Sequence, residues 1–185
     1  MKTTNDEFKL RVIQHVSNKF KKEGISPTLY FQTEEGRHRK FDIPEKMWNN
    51  NEYKEILPPF FKSLFKKTKT HYYALVLICT VTEFKSDDEE FKKQLDSTEI
   101  GKSVRKKLLK ELGKQEEGEA YEISLTEEEK EYIQENLGEE RLIIMFESKK
   151  SNSLMAFAKE GNGLKPKEHF DDSPMGGIFS NLLKE

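Results

Sequence analysis

A single cysteine, Cys79, stands among the 185 residues of this chain. An internal disulfide is therefore excluded, and so is any scaffold that depends on cross-links. No apolar run reaches the roughly 18 residues that a membrane-spanning helix needs. The first residues, Met1 to Glu7, turn acidic at once and lack the apolar core of a secretion signal, so a soluble cytoplasmic protein is expected. Net charge is only −2, which gives no global pull toward nucleic acid or an anionic membrane. The four histidines are scattered without metal-ligand spacing. There is no phosphate-binding loop, dinucleotide glycine fingerprint, His-Glu-x-x-His or nucleophile elbow. No cofactor and no metal are expected on these grounds.

What the chain does have is charge and short apolar runs. Charged residues make up 36% and hydrophobic residues 34%, with 13 phenylalanines. The apolar residues fall in organised runs, so the chain reads as folded rather than disordered. The longest run is Tyr72–Phe84, rich in β-branched and aromatic residues. It reads as a strand covered on both faces at first and half-exposed later, with a buried helix as the competing reading. Strand periodicity puts Leu75, Leu77, Cys79, Val81 and Glu83 on one face, so Glu83 is the first charge on a core face. Cys79, in mid-run, reads as a packing residue rather than a reactive thiol.

The remaining elements follow from caps and periodicity. Residues 4–23 predict an amphipathic helix, opened by a Thr4/Glu7 capping box and striped with Phe8, Val12, Ile13, Val16 and Phe20. Gly24 suits its C-terminal cap. His15 lies beside that stripe as a surface residue. Thr28–Thr33 and Lys40–Ile43 predict a hairpin. They are joined by the turn Glu34–Arg39, where Arg37, His38 and Arg39, with Lys40 at the start of the next strand, are able to grip a phosphate or simply to be solvated next to Glu34 and Glu35. Residues 44–51 read as a linker holding Trp48, with asparagines that cap the next helix. Glu52–Leu57 then makes a short helical turn, and Pro58-Pro59 is expected to break it before a new helix with Phe60, Phe61, Leu64 and Phe65 on its buried side. Lys62, Lys66, Lys67 and Lys69 fall on its wet side.

Downstream, Asp87 and Glu90 cap a helix interrupted near Ser97. The pattern resumes through Ile100, Val104, Leu108 and Leu112 to a stop at Gly113. Lys102, Arg105, Lys106 and Lys110 form the strongest basic patch of the chain, diluted by Glu99 and Glu111. After a polar loop at 115–119, residues 120–123 predict a short strand, and Ser124 with Glu127 opens a helix ending at Gly138. Arg141–Glu147 and Leu154–Lys159 predict a second hairpin, with Leu142–Phe146 central and beside the Tyr72–Phe84 strand. Residues 161–185 read as a partly flexible C-terminal segment. Its quartet Ile178, Phe179, Leu182 and Leu183 docks on the core or on a partner.

Three of these pieces resemble a group of uncharacterised prokaryotic and phage proteins. They are Val81-Thr82-Glu83-Phe84, the hairpin of Leu142–Phe146 and Leu154–Ala158, and the ending Gly176-Gly177-Ile178-Phe179-Ser180-Asn181-Leu182-Leu183. The resemblance covers the second half of the chain. The tryptophan that usually stands near the glutamate in that group is absent here. The resemblance implies the strand–hairpin architecture and weight on Glu83, and no reaction.

The expected fold is a single α+β domain with a mostly antiparallel sheet of five or six strands and helices packed mainly on one face. The expected function is a non-catalytic interaction or regulatory module, with a protein partner or a second copy of the chain bound through a sheet edge or the terminal segment. Two alternatives stay open. Glu83 and Glu147 each end an apolar strand; if those strands run parallel, the two carboxylates share one sheet edge and can hold a cation or act as acid and base. Alternatively, Lys102, Arg105, Lys106 and Lys110 bind nucleic acid.

Overall fold

The computed structural model describes residues 4–23, 25–81, 89–112, 123–161, 163–171 and 179–183. The chain divides into two compact units, one of residues 1–79 with 140–185 and one of residues 80–139.

The first unit is built on a six-stranded antiparallel sheet. Its strands are β1 (Thr28–Gln32), β2 (His38–Asp42), β3 (Tyr72–Val81), β4 (Glu139–Ser148), β5 (Asn152–Glu160) and β6 (Gly163–Asp171), in the order β2-β1-β3-β4-β5-β6. The α+β class and the antiparallel sheet are those the sequence predicts. β3 pairs with β1 on one side and lies beside β4 on the other. It is the central strand that its apolar run implies.

Two helices cover this sheet from opposite faces. α1 (Asn5–Glu23) inserts Phe8, Val12 and Val16 against Tyr30, Ala74, Val76, Ile144 and Phe146. α3 (Asn51–Thr68) inserts Leu57, Phe61 and Phe65 against Leu29, Phe31, Tyr73 and Leu75. The alternation along β3, even numbers to α1 and odd numbers to α3, is the period-2 geometry of a strand buried on both sides. Helices of this unit thus sit on both faces, where one face was expected. An uninterrupted apolar run is itself the signature of double cover, so the run in β3 already carried this information. Cys79, toward the end of the run, is half-buried, and burial pushes its thiol pKa up.

Local signals held in most places. Thr4 and Glu7 form the reciprocal capping box, with bonds of 2.9 and 3.2 Å. Gly24, the expected cap at the other end, lies outside the described residues. The first hairpin forms with a turn at 33–37, in which Gly36 takes φ +78° and donates to the Thr33 carbonyl at 2.9 Å. That backbone is one that glycine adopts at little cost. The linker holds one short helix, α2 (Glu45–Trp48), and Asn50 caps α3 by accepting from the Glu52 amide at 2.8 Å.

Pro58 and Pro59 do not break the helix. α3 runs unbroken through both. Proline's fixed φ is helical, and the cost is confined to missing N–H bonds and crowding of the previous turn. Leu57, Phe61 and Phe65, all buried on one stripe, offset that cost. Truncating one buried Phe to Ala is worth about 3–5 kcal/mol.

β6 was not foreseen, because Gly163, Pro166 and a charge-rich composition hide it. Its place at the sheet edge explains how it tolerates them: Pro166 lies opposite Phe157 beside a register shift at Ala156/Phe157. Proline is admitted at edges and bulges, where its missing N–H breaks no ladder bond. The other edge, β2, is equally charged, with His38, Arg39, Lys40 and Asp42. Charged edges discourage strand addition.

In the second unit, α4 (Glu89–Asp96), α5 (Glu99–Leu112) and α6 (Glu127–Asn136) pack in sequence. The helix break near Ser97 is where the sequence puts it. Asp87 and Gly113, its expected caps, lie outside the described residues, as do the 115–119 loop and residues 120–122. Ile123 is not in a strand. The capping box of α6 is Thr126 with Glu129, not Ser124 with Glu127. Glu129 also gains Ser103 and Lys107 as partners, a tertiary gain that Glu127 lacks.

Candidate functional site

The antiparallel sheet brings the end of β1, the start of β3 and the end of β4 to one end of the first unit. A cleft of about 770 Å³ opens there. One wall is the C-terminal part of α3, with Lys62, Phe65 and Lys66. The helix ends at Lys69, which takes the left-handed conformation (φ 47°), while the Thr70 amide donates to the Phe65 carbonyl at 2.9 Å. This six-to-one bond is the signature of a Schellman cap. The Thr68 hydroxyl donates to the Leu64 carbonyl at 2.8 Å and lies 2.9 Å from the Thr70 hydroxyl. The cap therefore fixes where Lys69, Thr70 and His71 enter the cleft.

The opposite wall comes from the β4–β5 turn. The Ser148 side-chain oxygen accepts from the Ser151 amide at 2.9 Å and the Lys150 amide at 3.2 Å, which closes the turn around Lys149. A serine closing a turn on its own backbone is ordinary turn chemistry.

The floor is the C-terminal segment, and Glu147 holds it. Glu147 is 4% exposed. Its Oε2 accepts from the Tyr73 hydroxyl at 2.7 Å and from the Asn181 amide at 2.7 Å. The same hydroxyl lies 2.9 Å from the Phe179 carbonyl and accepts weakly from the Leu182 amide at 3.4 Å. Burial, and then the Glu147 carboxylate, push the Tyr73 pKa well above its ordinary value, so the phenol stays a donor. Phe179 stacks on Trp48 at 5.5 Å and lies 6.4 Å from Phe61. Asn181 adopts φ 57°, which turns the chain so that Leu182 is buried and both Leu182 and Leu183 line the cleft. Of the two dockings open to the terminal quartet, Phe179 and Leu182 take the one on the chain's own core; Ile178 lies outside the described residues.

Four lysines thus converge on one cleft from α3, its cap and the β4–β5 turn. Lys69 pairs with Glu34 at 3.0 Å. Lys62, Lys66 and Lys149 have no ion-pair partner among the described residues. The cleft presents a cationic rim over an apolar floor of Leu182 and Leu183, with Phe65 at the base of the α3 wall.

The carboxylate pair of the sequence reading rested on β3 and β4 running parallel. Tyr73, near the start of β3, bonds Glu147, near the end of β4. The strands are therefore antiparallel, and the parallel arrangement that would put their ends on one edge does not occur. Glu83 itself lies outside the described residues. Glu147 is an anchor for the terminal segment, and its Oε1 is buried without a hydrogen-bond partner.

The basic patch lies on α5 in the second unit, and half of it is neutralised. Lys102 pairs with Glu99 at 2.6 Å, and Arg105 with Asp96. Lys106 and Lys110 remain exposed without an ion pair among the described residues. No group of three or more potential metal ligands gathers among the described residues.

The sequence pointed to Lys62, Lys66 and Lys69 as a wet helix face. It gave no sign that Lys149 joins them, since 83 residues separate Lys66 from Lys149 and only β3–β4 adjacency brings them together. No family model, curated protein or solved structure matches this chain.

Proposed function

We propose that this chain is a non-catalytic interaction module that takes an acidic, partly apolar segment of a partner protein into the lysine-rimmed cleft. The observation that supports this reading is the convergence of Lys62, Lys66, Lys69 and Lys149 above Phe65, Leu182 and Leu183. A volume of about 770 Å³ accommodates a few side chains, within the range of ordinary ligand sites. Glu34 also lines the cleft and is paired with Lys69, which leaves Lys62, Lys66 and Lys149 as the excess positive charge that speeds the approach of an acidic partner. Leu183, the half-buried residue of the floor, and the aliphatic stems of the rim lysines supply the apolar area whose burial slows its departure, at about 25 cal/mol per Å². Among the described residues no nucleophile of the cleft is paired with a base, and the buried Glu147 carboxylate near it holds the terminal segment.

Labelled peptides of alternating acidic and Leu/Phe residues, titrated against the full chain by fluorescence anisotropy, test this. Saturable binding that weakens with salt is expected. The double variant Lys62→Glu/Lys66→Glu should lose about tenfold or more, each exposed pair being worth about 0.2–1 kcal/mol before repulsion is added. Lys167→Glu, on the edge strand β6, should change little. Equal binding to the cleft variant, equal binding of acidic peptides lacking apolar residues, or no binding at low salt would each overturn the reading.

A further inference from the structure

A second cavity lies between α1 and the first hairpin, about 230 Å³ in volume. It is lined by Phe8, Arg11, Val12, His15, Tyr30, His38 and Arg39, with no acidic residue among them. Arg39 lines the cavity from β2, so its permanent charges are the two guanidinium groups of Arg11 and Arg39.

The aromatic walls lie in contact with one another. Phe8 stacks between His38 (5.9 Å between centroids, 11° between planes) and Tyr72 (5.8 Å, 26°). His15 meets Tyr30 edge-on at 5.5 Å. Burial raises the Tyr30 pKa to about 12, with Asp42 adding to the effect, so the phenol stays neutral. Asp42 is itself engaged by Lys40 at 2.8 Å, Thr28 at 3.0 Å and Lys19 at 3.5 Å.

Arg11 has no carboxylate partner among the described residues. Its Nη1 instead lies 3.0 Å from His38 Nε2. Burial, and then the Arg11 charge, lower the His38 pKa, which suits a neutral ring accepting that bond. A guanidinium has five donors in a planar fork that matches a carboxylate. One of them is used on His38, which leaves a cation next to an aromatic hollow with most of its donors unspent.

We propose that this cavity binds a small aromatic carboxylate, its ring in the hollow of Phe8, Val12, His15 and Tyr30 and its carboxylate on Arg11. Size agrees: a cavity of about 150 Å³ already accepts benzene, and this one is larger. An inorganic anion would satisfy Arg11 but leave the apolar wall unfilled. A neutral aromatic would fill the wall and leave the guanidinium without its counter-charge. The proposal concerns a different face of the sheet from the lysine cleft and does not depend on it.

Benzoate, benzyl alcohol and inorganic phosphate, each titrated into the isotope-labelled full chain and followed by amide NMR shifts, form the test. Benzoate should saturate and move amides around Arg11–His15 and His38. Benzyl alcohol and phosphate should each bind at least about tenfold more weakly. Arg11→Gln, at an exposed position, should cost benzoate about tenfold, the scale of one charge-assisted hydrogen bond. His15→Trp should abolish binding by filling the hollow, and Lys66→Glu should leave it unchanged. Melting curves of the variants establish that the fold survives. Phosphate binding as tightly as benzoate, shifts centred elsewhere, no saturable binding, or full affinity in both Arg11→Gln and His15→Trp would overturn the proposal.

Discussion

The Tyr73 hydroxyl sits 2.7 Å from Glu147 Oε2, between two residues 74 positions apart in the chain. This bond joins β3 to β4 and, through the Asn181 amide on the same oxygen, ties both strands to the C-terminal segment. Tyr73→Phe keeps the ring in the α3-side core and removes only the hydroxyl. The carboxylate then loses a charge-assisted bond worth about 1.5–3 kcal/mol. We expect destabilisation of that size in urea unfolding. Glu147→Gln should couple to it, so that the double variant loses less than the sum of the single losses. Additive losses would show that the hydroxyl and the carboxylate do not act as a unit.

Gly101 gives a prediction that runs against helix propensity. It lies in the first turns of α5, where alanine is ordinarily better by about 1 kcal/mol. A Cβ at this position would run into the Leu95 carbonyl oxygen and stand 2.8 Å from the Tyr132 hydroxyl. Backbone cannot yield as a flexible side chain can. Gly101→Ala should therefore destabilise the second unit by at least about 1–3 kcal/mol, the usual range for overpacking. The readout is faster amide exchange in α4, α5 and α6. Unchanged or slower exchange would refute the close approach.

Glu129 predicts an acid limb for that unit. The carboxylate is 4% exposed and accepts from Lys107 at 2.6 Å, Ser103 at 2.7 Å and the Thr126 amide at 2.8 Å. Lys107 first, with the Thr126 amide and Ser103 hydroxyl, lowers its pKa to about 2 against the opposing effect of burial. A folded-state pKa below the unfolded one gives stability that is present above the ordinary glutamate range and lost as pH falls through the folded value. Protection of the α6 amides should thus decline between about pH 4.5 and pH 2. Glu129→Gln should cost about 1–2 kcal/mol at pH 7, and the difference from the parent chain should shrink toward pH 2. A difference that is constant with pH would mean that the charge contributes nothing.

The sequence determined what depends on neighbours along the chain. The capping box of Thr4 and Glu7, the break near Ser97, the Asn50 cap and both hairpins follow from spacing over a few residues. The apolar run Tyr72–Cys79 pointed to a strand covered on both faces, with a buried helix as the alternative, and the fold took the strand.

Tertiary structure decided whatever rests on distant pairing. The sequence could not say that β3 and β4 are antiparallel, and so could not separate their ends. It could not say that Pro58 and Pro59 stay inside a helix, because the offsetting burial of Leu57, Phe61 and Phe65 belongs to the sheet beneath them. It marked Glu147 as a charge at the end of a core strand. Only the fold showed that this charge faces a tyrosine and a backbone amide rather than water. For the same reason Lys66 and Lys149, or Arg11 and His38, became neighbours only when the strands and helices took their places. A side chain's role as anchor, rim or wall depends on what the packed chain places within a few ångströms of it.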